Sequence, residues 1–320
     1  MRQVIAWILL VATAALGGCQ HTPPDRRAQS DQLVDQVRAL PGVRSASGDV
    51  AASVARNDVH FWLKVDITDA ATADEVAAIA KSYLDHVSAV GYSGYQTELD
   101  IRCGENVFTV DGARNPLQDI GQTVATARDW IALRGQFPGA TVNVHADPEI
   151  GTITLPEPAD YRDVAAASTV LSSRFPQLAD GNWTINASTL HPAVLTSTKR
   201  MPTAAELDVW AKLNADQTIP HIDAMTINAP LTAPLWISEK TTSRDPAAAL
   251  ALAAVHLPIV ATLPAPVLYT ATDKLQAHRN YDGHITGPVA VTTGGCTPRN
   301  YPFGQAERKL IDTYERCPVG

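Results

Sequence analysis

The sequence predicts an α+β fold made of three tandem repeats, each an antiparallel sheet with helices on one face. Three markers kept at one interval predict it. Helix-start signals at Thr72, Asp160 and Asp245 lie 88 and 85 residues apart, and a second set near Asp31, Asp119 and Thr203 lies 88 and 84 apart. Strands opening at Tyr95, Trp183 and Val267 keep the same interval, 88 and 84. Independent markers sharing one period point to duplication of a structural unit, and a chain of 320 residues suits several domains.

The elements follow from local chemistry. Thr72-Ala73-Asp74-Glu75 is a capping box, in which hydroxyl and carboxylate satisfy the free amides of a first turn, and the helix it opens carries Val76, Ile79, Tyr83 and Val87 on one face. Asp160 precedes a helix with Val164, Ala167, Leu171 and Phe175 aligned. Asp245-Pro246, a cap followed by the ring that favours a first helical position, opens a third with Leu250, Ala254 and Leu257. Thr203-Ala204-Ala205-Glu206 is another capping box. The clearest strand alternates Val59, Phe61, Leu63, Val65 and Ile67 with His60, Trp62, Lys64 and Asp66, so one face is core and the other exposed.

Extra strands at Val107-Phe108-Thr109-Val110 and Val194-Leu195-Thr196-Ser197 complete a β-α-β-β-α-β order, which is that of the ferredoxin-like fold. The predicted units are 31–110, 111–188 and 189–273. A tail over 274–320 holds a strand near His284–Val291 and a helix over Gln305–Arg316, with Ala306, Leu310 and Tyr314 on one side. By order of elements alone the units resemble BON-type and other small α/β modules of bacterial envelope proteins, a likeness of topology that many functions share.

The first residues read as an export signal. Arg2 is followed by an apolar run from Val4 to Leu16, thirteen residues where a spanning helix needs about twenty, and then by small residues up to Cys19. Leu16-Gly17-Gly18-Cys19 resembles the lipobox of bacterial lipoproteins. The resemblance implies cleavage of residues 1–18, acylation of Cys19 with a palmitate-like chain, and an extracytoplasmic protein anchored to a membrane. Two or more acyl chains are what stable anchoring takes. Residues 19–30, polar and bearing Pro23-Pro24, read as a tether. A net charge of −8 and the lack of a Lys/Arg run argue against nucleic acid as a partner.

Of the four cysteines, Cys19 is assigned to lipid. Parity places Cys103 with Tyr95, Thr97, Leu99 and Ile101 on the core side of its strand, as a buried thiol. Cys296 and Cys317 then form the disulfide expected in an oxidising compartment.

No catalytic residue, cofactor or metal site is predicted. His145-Ala146-Asp147 and His221-Ile222-Asp223 each project two side chains to one face, but two ligands make half a zinc site, so both read as polar pairs on exposed strand faces. His278 to His284 reads as a solvated loop, and Gly91-Tyr92-Ser93-Gly94 as a turn between helix and strand, the reverse of a nucleophile elbow. Trp62 sits on the outer face beside His60 and Lys64, covered by a neighbouring unit or serving as a partner contact. The expected function is a non-enzymatic binding or scaffold role at a membrane surface, toward an envelope protein or polymer. The alternatives are a metal-assisted hydrolase of cell-wall material using the His/Asp strands, and a carrier of an apolar molecule.

Overall fold

Thr72, Asp119, Asp160, Thr203 and Asp245 each cap a helix in the computed structural model, and every one accepts a hydrogen bond from a first-turn amide. The structure describes residues 23–53, 58–111, 119–146, 149–188, 192–228, 233–264, 266–273, 287–299 and 304–317. Helix α1 (Arg27–Arg38) starts inside the segment read as a tether, four residues ahead of the predicted Asp31, with Leu33, Val34 and Val37 buried. Cys19 lies outside the described residues, as do Asp147 and the loop from 278 to 284.

The remaining elements alternate one helix with one hairpin. After α1 come β1 (Val43–Ser53) and β2 (Asp58–Ile67); α2 (Ala73–Val90) is followed by β3 (Tyr95–Cys103) and β4 (Asn106–Asp111), and α3 (Ile120–Gln136) by β5 (Thr141–Ala146) and β6 (Glu149–Thr154). Then α4 (Tyr161–Arg174) and the short α5 (Pro176–Ala179) lead into β7 (Asn182–Asn186) and β8 (Val194–Thr198), and α6 (Ala204–Ala215) into β9 (His221–Ile227) and β10 (Leu235–Thr241). Last are α7 (Pro246–Val260), β11 (Val267–Thr272), β12 (Val289–Thr293) and α8 (Gln305–Tyr314).

The predicted three ferredoxin-like units do not form. All twelve strands join one mixed sheet, and each strand lies beside its neighbours in sequence. Every hairpin is antiparallel. Every crossover through a helix returns parallel to the strand it left and directly next to it. A ferredoxin-like unit would instead leave room for another strand between the two. Caps and side-chain parity are local properties, and neither says whether a crossover lands one position away or two. One large apolar core, from Leu33 to Val291, replaces the separate cores expected, and a small second cluster of Ala233, Leu268 and Ala290 with Trp236 lies on the other face of the sheet. The tail is not an appendage, because β12 pairs with β11 as the last strand of the same sheet.

Parity was a sound guide to burial over most of the chain. Phe61, Leu63, Val65 and Ile67 of β2 and Thr97, Leu99, Ile101 and Cys103 of β3 are buried on the helix-covered face. Cys103 is a free thiol, pushed up in pKa first by burial and then by its contact with Asp69. On α4 the predicted Val164, Ala167, Leu171 and Phe175 are all buried. On α7 the predicted face was right only at Leu257: Ala249, Leu252, Ala253, His256, Leu257 and Val260 point inward, whereas Leu250 is half-buried and Ala254 exposed. The sequence there is apolar all round and gives no contrast to read.

A disulfide joins Cys296 to Cys317 and ties the end of α8 to the segment after β12. The same corner holds a buried ion pair in which both Arg299 terminal nitrogens reach Glu315, at 2.8 and 2.6 Å, while Glu315 also accepts the Thr292 amide. Replacing both cysteines by serine is expected to cost on the order of 3 kcal/mol in the chain-entropy account and to be felt first in α8. Amide exchange should quicken over 304–317 while β2 and β3 keep their protection; equal loss in both regions would contradict a local role.

Gly151 of β6 has a tighter constraint. A β-carbon there would stand 2.2 Å from the Trp183 ring, which crosses over this position to donate its indole N–H to the Leu178 carbonyl. Gly151→Ala should therefore displace Trp183 and cost about 1–3 kcal/mol, seen as a lowered denaturation midpoint with the slope preserved.

Candidate functional site

Strands β9, β10 and β11 carry a polar cluster into the core. On β9, His221 and Asp223 share one parity, as predicted, but it is the parity of Met225 and Ile227, and those two draw the whole set beneath the helices. His221 and Asp223 are thus buried, not on an exposed strand face. On β10, Glu239 stands in register opposite Asp223 and Thr241 opposite His221. Tyr269 of β11 pairs with Ile237 one position along. His256 descends from the inward face of α7, and Asp216, the residue that ends α6, approaches from the rim.

The side chains of His221, Asp223, Glu239 and His256 have no solvent exposure at all. Glu239 is held at both oxygens: the Tyr269 hydroxyl donates to Oε2, and His256 Nδ1 shares a 2.7 Å hydrogen bond with Oε1. His221 donates Nδ1–H to the Ile219 carbonyl at 2.6 Å. Its Nε2 faces oxygens only, the Leu213 carbonyl at 3.2 Å and Asp223 Oδ1 at 3.4 Å. The two imidazoles meet edge to face with centroids 5.0 Å apart. Neither oxygen of Asp223 has a hydrogen-bond partner, and neither has His256 Nε2, which lies 3.6 Å from Asp216 Oδ2.

Burial disfavours charge on every member. It raises the Asp223 carboxyl well above its usual range, with the neighbouring Glu239 adding to the rise, and pushes Glu239 up to about 8. Burial likewise lowers both histidines. His221, Glu239 and His256 bring one ligand atom each within 4.8 Å of one another, and these are the residues that could hold a metal ion. The second cluster of possible ligands, Cys296, Glu315 and Cys317, is taken up by the disulfide and by Arg299. An open groove of about 310 Å³, lined by Asp160, Tyr161, Asn214 and Gln217, runs down to His221.

The opposite face of the sheet bears Trp62, half-exposed as its parity predicted, with the Lys64 ammonium 5.0 Å from its ring centroid. His145 lies exposed on the same face. Across the middle strands Asn143, Thr152, Thr184, Thr196 and Thr226 follow one another in register and end at Trp236, whose indole N–H donates to Thr270. The predicted turn at Gly91–Gly94 is a turn, opened by a left-handed glycine after α2. No protein-family model matches the chain, and neither a curated protein nor a solved structure matches it.

Sequence reasoning missed Glu239, His256 and Tyr269. For β9 the signal was present, since Met225 and Ile227 share the parity of His221 and Asp223. For His256 nothing in an unbroken Ala/Leu segment marked one turn as inward. Tyr269→Phe should leave Glu239 Oε2 buried without its donor and cost about 1–3 kcal/mol in denaturant melts, whereas His145→Ala should change stability by less than about 0.5 kcal/mol.

Proposed function

We propose that this chain is an envelope lipoprotein, held by lipid on Cys19 to the outer face of a bacterial membrane, and that it works by binding rather than by catalysis. Its open sheet face would dock an envelope protein or polymer. The observation that carries this reading is the one-sided sheet: the helices cover one face, and from β2 to β8 the other carries mostly polar residues, many of them half-exposed, with Trp62 among them. A broad array of hydroxyls and amides at strand spacing suits a partner that offers hydrogen bonds over a length of surface, and tryptophan is the residue type most enriched at binding hot spots. No described helix is long and apolar enough to cross a membrane, so retention would rest on the lipid.

Two measurements test the proposal. Cys19→Ser should move the protein from the membrane fraction to the soluble one with an unchanged circular dichroism spectrum, because the described fold lies beyond that residue. Retention of the cleaved variant in membranes would refute the anchor. A photoreactive side chain in place of Thr184 or Trp62 should crosslink a partner in intact envelopes, and one in place of Ser172 on the outside of α4 should not. Equal crosslinking from both faces would refute docking through the sheet.

A further inference from the structure

We propose that His221, Glu239 and His256, with Asp223 beside them, bind one divalent transition-metal ion, of which zinc(II) is the best fit to the donors. The argument begins with an imbalance of hydrogen-bonding groups. His221 Nδ1 donates to the Ile219 carbonyl, and its Nε2 lies 3.2 Å from the Leu213 carbonyl and 3.4 Å from Asp223 Oδ1. Both Asp223 oxygens and His256 Nε2 lack a hydrogen-bond partner, in side chains with no exposed area. A buried polar atom without a partner is costly and calls for an explanation, and a cation among these atoms would supply one.

The donor types narrow the ion. Two imidazoles with carboxylate oxygens are the ligands of zinc and of neighbouring first-row ions, whereas calcium and magnesium take oxygen almost exclusively. The surrounding contacts match those of a metal site. The His221 ring is oriented by a backbone carbonyl through its other nitrogen, and Glu239 is held by Tyr269, so that both ligands are fixed before the ion arrives. Ligand atoms of His221, Glu239 and His256 already lie within 4.8 Å of one another, and a tetrahedral site with bonds of about 2.0–2.1 Å requires only modest contraction. The groove ending at His221 supplies the route of access.

The site is independent of the proposed docking face, since it lies under the helices on the other side of the sheet. The test uses the mature chain, stripped with a chelator, desalted and titrated with zinc chloride. One zinc per chain should survive desalting by elemental analysis, and zinc should raise the melting temperature. Cobalt(II) in its place should give a visible absorption band of low-symmetry coordination. Asp223→Asn and His256→Gln should each weaken zinc binding about tenfold or more, and His145→Gln should leave it unchanged. The wild-type stoichiometry and cobalt spectrum decide the matter even if a variant fails to fold. Absence of bound zinc in the wild type, or loss of binding only on replacing the exposed His145, would overturn the proposal.

Discussion

The hand of the strand–helix–strand crossover governs the molecule. A right-twisted strand feeding a helix packs back onto its sheet almost always in the right-handed sense. Each of the five crossovers moves the chain one strand further in the same direction. A fixed hand and a fixed direction leave one choice of side, so the helices between strands line up on one face. Hairpins then add the alternate strands without changing side. A doubly wound fold reverses direction once and covers both faces; this chain does not reverse, and the uncovered face is the result.

That one-sided layering also explains how so polar a group survives inside. The helix-covered face holds the larger buried core, and strands β9 to β11 send two carboxyls, two imidazoles and a phenol into it. Isolated, any one of those groups would be costly to bury. Together they are electrically balanced whether the protons sit on the carboxyls or on the rings, and the Glu239–His256–Tyr269 bonds close part of the network. The unclosed part, Asp223 with His256 Nε2, is where the packing of the core departs from hydrophobic rule, and such departures concentrate at functional sites.

Much of this was legible in the sequence, in proportion to how local the deciding interaction was. Helix caps were found at Thr72, Asp119, Asp160, Thr203 and Asp245 because a cap is settled within four residues. Strand parity was legible in β2 and β3, where apolar and charged residues alternate cleanly, and it correctly buried Cys103 and left the Cys296–Cys317 pair. The start of α1 was misread because Arg26, a residue with no capping side chain, precedes it. The joining of strands into one sheet was illegible, since register across a crossover depends on partners thirty or more residues away. The site fell between these cases. His221 and Asp223 were seen as a pair but placed on the wrong face, while Glu239 and His256 were brought to them only by the register of β10 and the packing of α7.

An open sheet of sequential strands has a further geometric property. Adjacent strands rotate by roughly 20° about the axis running across the sheet, and over eleven successive pairings the rotation accumulates to something on the order of 220°. The uncovered stretch from β2 to β8 is therefore expected to wind like a ramp, by something on the order of 120° over its six pairings. A stiff planar ligand could lie flush on only a few strands at a time. A flexible strand, by contrast, could follow the threonine row as it winds, so that curvature itself selects among partners of identical chemistry.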